Sequence, residues 1–148
     1  MSINVGKSIL AGLIGTLGMT GFMLMAPMMG MPEMNIGKML GMFMGMPEVA
    51  GWLAHLMIGS TLAVFYAALF QPKFPGNGVV RGMMFGLVPW LMAQVAVNPM
   101  MGAGVFAMNT PAPMAMVMGS LMGHLVYGAV LGGVYGTRNI APAGVVRA

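Results

Sequence analysis

Six basic and two acidic residues are all the charge in 148 positions, and their spacing dictates what this chain can become. No charge interrupts Ser8 to Pro32, Val49 to Pro72 or Gly82 to Thr137, runs of 25, 24 and 56 residues. Each of the first two suits one helix crossing about 30 Å of hydrocarbon at about 1.5 Å per residue. The third is too long for one crossing and is broken by "GAGVFAMNTPAP" at 102–113, whose Gly, Asn and Pro residues mark a loop. The pattern predicts an all-α integral membrane protein with four spans, at about 7–27, 49–70, 80–99 and 114–137. Composition agrees: 59% of residues are hydrophobic and 5% charged, where a soluble domain carries roughly a quarter charged. Lys7 before an apolar run can also open a secretory signal, but no small-x-small cleavage site follows cleanly, so the first helix is read as retained.

The basic residues set an expected orientation. Lys7, Lys73, Arg81, Arg138 and Arg147 fall on one side of the four spans, and only Lys38 falls on the other. The positive-inside rule makes the first side cytoplasmic, with both termini there. A bacterial or archaeal inner membrane is the expected location. No basic cluster of the nucleic-acid-binding kind is present. The absence of cysteine excludes disulfides and thiolate metal sites.

The chain repeats itself. "HLMIGSTLAVFY" at 55–66 is echoed by "HLVYGAVLGGVY" at 124–135, and "PMMG" occurs at 27–30 and again at 99–102. Each half then reads as helix, outer loop, helix in the same orientation, a parallel repeat about an axis along the membrane normal. The expected architecture is one transmembrane domain, 1–148, made of a duplicated hairpin, with repeat one at about 7–70 and repeat two at about 80–137. In the first outer loop, "GMPE" at 30–33 and 45–48 brackets an apolar piece too short to span, which predicts an interfacial or re-entrant helix. Gly37, Gly41 and Gly45 give that helix one flat face. Proline before Glu33 and Glu48 reads as a helix start with an acid in the first turn.

The repeat doubles the only two histidines. His55, Gly59, Leu62 and Tyr66 fall on one helical stripe, and His124, Gly128, Leu131 and Tyr135 on another. The tyrosines are expected near the cytoplasmic headgroups. Facing stripes would put an imidazole on each side, with Gly59 and Gly128 leaving room for a flat ligand, as bis-histidine ligation of haem b in a bundle requires. A (bacterio)chlorophyll needs one axial histidine in a small-residue setting and would fit as well. The plainer reading is a packing clamp, each histidine bonded to a neighbouring helix, with Gln94 and Asn98 as available partners. Metal and proton roles complete the alternatives.

Methionine is the second signal. Of 23 methionines, ten lie between Met23 and Met46 and seven between Met100 and Met122, all toward the outer side. Thioethers select Cu(I), and Met114, Met118 and Met122 repeat every four residues, so an outward copper site is one reading. Docking against other membrane subunits through a flexible, polarisable face is the other. Gly12, Gly15, Gly18 and Gly21, with Gly119, Gly123, Gly128, Gly132 and Gly136, read as close helix contacts, and Pro89 as a kink.

Catalytic chemistry has little to work with. The two acids lie in the outer loop, no carboxylate lies within a span, and no nucleophile–base constellation can be assembled, so the chain does not read as an enzyme. The expectation is a non-catalytic accessory subunit of a larger membrane complex, redox or energy-converting, with His55 and His124 as tetrapyrrole ligands. The alternatives are a small channel or carrier for Cu(I), or a structural subunit without cofactor.

Overall fold

Asparagine side chains start three of the helices. Asn4, Asn35 and Asn77 each accept a hydrogen bond from the backbone N–H three residues on, at 2.8–2.9 Å. Such caps satisfy donors that a helix start leaves free. In the computed structural model, which describes residues 3–136, these starts lead into α1 (Val5–Met25), α2 (Ile36–Met44) and α4 (Gly78–Met92). Proline precedes or opens the others: α3 (Glu48–Phe65) follows Pro47 and α6 (Pro113–Tyr135) begins on Pro113. A three-residue helix, α5 (Asn98–Met100), ends the third long helical path.

Four helical stretches are long and apolar enough to cross a membrane: Val5–Met29, Glu48–Phe70, Gly78–Met100 and Pro113–Tyr135. They match the predicted spans to within a few residues, and no strand occurs among the described residues. Their length and composition mark a membrane protein, with Leu17, Leu24, Met57 and Leu69 all more than half exposed on the outside of the bundle. Thr137, where the fourth span was expected to end, and Arg138 and Arg147 lie outside the described residues.

Close approach through glycine holds the bundle together. Gly12 of α1 lies against Ala63 and the Gly59 carbonyl of α3, and Gly15 lies against Tyr127 of α6. Gly78, Gly82 and Gly86 of α4 rest on the carbonyls of Gly132, Gly128 and His124 of α6. A side chain at these points would push the backbones apart, and in lipid such contacts are the main source of association. The helices are therefore joined in the order α3, α1, α6, α4. Gly21 has nothing within 4 Å and takes no part.

The short α2 packs onto the start of α3, Gly37 beneath the Trp52 ring and Gly51 against the α2 backbone. Gly45, expected on that flat face, instead ends α2 at φ 65°. Glu48 does sit in the first turn of α3, where its carboxylate also accepts from Asn35 Nδ2 at 2.8 Å and Trp52 Nε1 at 3.1 Å. Glu33 precedes the Asn35 cap, so it is not in a helix first turn as the sequence had implied.

At the opposite end, Tyr66 contacts Phe85 at 5.3 Å and Tyr135 at 6.0 Å between ring centroids, and Phe70 contacts Phe85 at 5.3 Å. Tyr66 is 0% and Tyr135 7% exposed. The two tyrosines expected near the headgroups thus meet each other inside the bundle, at the end away from α2. The Lys7 ammonium lies 5.8 Å from the Tyr135 ring centroid at the same end.

Candidate functional site

Between the aromatic cluster and the α2 end lies a cavity of about 740 Å³, well within the size range of cofactor sites. All four long helices, α2 and the 100–111 connection wall it, and both histidines line it. His55 comes from α3 and His124 from α6. Leu62 lines the cavity from the same stripe as His55.

The two imidazoles have different surroundings. His124 Nδ1 lies 2.8 Å from the Ser120 carbonyl, four residues back on α6. A carbonyl only accepts, so Nδ1 carries the proton and Nε2 keeps a free lone pair. His55 Nε2 is buried and has no hydrogen-bond partner. Its ring meets Trp52 edge-on, at 6.3 Å between centroids.

A short polar chain backs His124. Asn98 Nδ2 donates to Gln94 Oε1 at 3.0 Å, and Gln94 Nε2 donates to Ser120 Oγ at 3.2 Å. Gln94, just past the end of α4, is thus clamped to Ser120 of α6 and braced by Asn98, and neither amide bonds an imidazole. Opposite, Thr16 on α1 lines the cavity with its hydroxyl bonded to the Gly12 carbonyl at 2.8 Å, and Tyr127 donates to the Gly59 carbonyl at 2.6 Å.

The two glycines expected to flank a ligand divide. Gly59 lines the cavity, but the place its side chain would take is filled by the Thr16 hydroxyl. Gly128 does not line it; it faces the Gly82 carbonyl of α4, and its role is helix contact. Met114, Met118 and Met122 are 74, 47 and 44% exposed on the outside of α6, turned away from the cavity. The soft-ligand lining comes from other methionines, among them Met19, Met23, Met34, Met100 and Met116. Among the described residues no three His, Cys, Asp or Glu gather as a metal-binding group. A metal here would draw on two imidazoles and, at most, thioether sulfur.

Sequence reasoning missed Ser120, Tyr127 and Thr16. Ser120 was within reach, since its carbonyl sits four residues before His124, where a helix places an acceptor. Tyr127 stands where the similar segment 55–66 has Ile58, so matching the two segments concealed it. The 100–111 connection carries Phe106 and Ala107 at φ 50° and 56°, and Ala107 is 1% exposed against the cavity.

Comparison with curated proteins and with solved structures finds no match. A match over residues 3–144 shows that the chain belongs to DUF6789, a family of unknown function.

Proposed function

We propose that this protein is a non-catalytic accessory subunit of a larger membrane complex of the redox or energy-converting kind, and that its cavity holds haem b between His55 and His124. One observation carries the reading: the only two histidines, one on α3 and one on α6, line a single cavity of about 740 Å³. The chain's own residues fit an iron tetrapyrrole. Imidazole is a common axial ligand, the nitrogen free on His124 is the one a metal would take, and a carbonyl bond to the other nitrogen orients a ligating ring. His55 Nε2 has no other partner. The apolar walls would exclude water and favour a flat aromatic ring. When bound, the haem would supply one-electron chemistry. A chlorophyll-type pigment would use one histidine.

The wider setting follows from the sequence. On this reading the chain is a duplicated hairpin, α1 corresponding to α4 and α3 to α6, with both termini cytoplasmic and α2 lying at the outer interface. Exposed Met28, Met42, Met100 and Met108 at the α2 end would then dock neighbouring subunits. A Cu(I) carrier is the second reading, favoured by the methionine sulfurs around the same cavity.

An absorption spectrum of protein purified from native membranes decides between them. Haem gives a Soret band with sharp reduced α and β bands, and chlorophyll gives far-red bands. A featureless visible spectrum with stoichiometric copper would support the carrier and retire the haem.

A further inference from the structure

Glycine closes three of the four sides of the helix ring. Gly12 joins α1 to α3, Gly15 joins α1 to α6, and Gly82 joins α4 to α6. Between α3 and α4 no described glycine makes such a contact, and the substantial approach is confined to the aromatic end, where Tyr66 and Phe70 meet Phe85. Beyond that point the two helices face each other across the cavity. His55, Ile58 and Leu62 line it from α3, and Pro89, Ala93 and Val97 from the α4 side.

Two further observations mark this side. Both helices that border it leave α-helical spacing for a π turn, at Tyr66–Phe70 and Ala93–Val97, whereas α1 and α6 run without one. Single π turns are rare and gather at functional sites. In addition, Ile58 and Val97 line the cavity yet are 47 and 38% exposed, so the interior space continues to the outside at these lips. It also does so at the α2 end, where Met42 and Met100 are 66 and 67% exposed. The two histidines and Ser120 line the same cavity.

We infer that the gap between α3 and α4 is a lateral portal, through which the cavity takes a flat, lipid-dissolved ligand from the hydrocarbon phase of the bilayer. The inference rests on the reading that the cavity is a ligand site. The lips stand on the apolar, membrane-crossing parts of both helices. A hydrated ion passing them would lose its water with no charged group to replace it, whereas an apolar ring loses nothing. The ring would then meet nitrogen ligands only after entering. The portal also occupies the place where a strict repeat would put the counterpart of the α1–α6 contact.

The chain can be tested in phospholipid vesicles without its native ligand. With Trp52→Phe and Trp90→Phe as background, Met116→Trp puts a reporter on the cavity wall. Phospholipid brominated on its acyl chains should quench this reporter at least twofold more than iodide added to the water. Filling the gap with Ile58→Phe and Ala93→Phe should remove at least half of that quenching. A reporter on the outer surface, Leu53→Trp, should not respond to the filling. Val97→Phe gives an independent filling if the double variant does not fold. Equal lipid quenching with the gap filled, or stronger quenching by iodide, would overturn the portal. Haem uptake from haem-loaded vesicles forms the second arm, and filling should slow it at least tenfold. Lipid quenching that passes both tests with no haem uptake retires the haem and leaves the portal standing. Haem binding at an unchanged rate with the gap filled overturns the portal alone.

Discussion

The Tyr127 hydroxyl donates to the Gly59 carbonyl at 2.6 Å, tying α6 to α3 across 68 residues of sequence. The bond lies one helical turn from His55 and fixes the separation of the two histidine-bearing helices. The Tyr127 ring also packs on Gly15 of α1, so one side chain joins three helices. Tyr127→Phe keeps the ring and removes the bond. It should cost about 1 kcal/mol, and the unfolding midpoint in detergent should fall by about 3 °C. A midpoint equal to wild type would mean that the separation is set by the glycine contacts alone.

Those contacts predict a sharp ranking among glycines. A methyl at Gly128 would run into the Gly82 carbonyl, backbone against backbone, with no flexible side chain to yield. Gly128→Ala should therefore destabilise by about 1–3 kcal/mol, the cost of overpacking. Gly133, whose nearest outside neighbour is Val79 Cγ2 at 3.5 Å, and Gly21, with nothing within 4 Å, have room for a methyl. Gly133→Ala and Gly21→Ala should be neutral or slightly stabilising, since alanine is the better helix former. Thermal unfolding of the three variants in one detergent checks the order.

His55 should show a conflict between stability and function. Its Nε2 is buried without a partner, an arrangement that costs about 1–3 kcal/mol in a ligand-free protein. His55→Leu fills similar space without the polar atom. The ligand-free variant should melt above wild type, while the haem spectrum, where wild type has one, should disappear. A lower melting point would indicate that the ring contributes more through its contact with Trp52 than the orphaned nitrogen costs.

Orientation is open to direct labelling because the chain has no cysteine. Met28 at the α2 end is 87% exposed, and Lys73 lies exposed in the turn between α3 and α4. Met28→Cys and Lys73→Cys should react with an impermeant maleimide from opposite faces of the membrane, Met28 from outside. Labelling of both from one side would remove the four-span topology.

The spans were legible because hydrocarbon tolerates so little charge, and the proline start before Glu48 was legible too. The start read at Glu33 gave way to the Asn35 cap, which went unread like those of Asn4 and Asn77. The histidine pair was legible through repetition. The stripes were only partly so, for a helix stripe identifies a face without naming its neighbour. Gly59 and Gly128 sit about 40° around the helix from their histidines. That rotation is enough for Gly59 to meet Thr16 on α1 and for Gly128 to meet Gly82 on α4. Met114, Met118 and Met122, read as an outward Cu(I) stripe, are exposed on α6 and do not line the cavity that holds His124. The unclosed side between α3 and α4 was not legible at all, because it depends on which glycines find partners.

The connection over the cavity carries a strain that can be relieved. Ala107 holds φ 56°, a left-handed conformation that costs an L side chain roughly 1–2 kcal/mol and costs glycine almost nothing. Its backbone is held there by hydrogen bonds, Ala107 N–H to the Gly104 carbonyl at 3.1 Å and Thr110 N–H to the Ala107 carbonyl at 2.9 Å. Ala107→Gly should raise the melting point by a few degrees, less than the full strain because glycine also loosens the unfolded chain. Phe106, at φ 50°, should behave in the opposite way. Its ring stands edge-on to Trp90 at 6.3 Å and seats the connection on α4, so Phe106→Gly relieves the backbone but loses that contact and should lower the melting point. A fall for both variants would show that the connection is held by its side chains, with backbone strain a minor term.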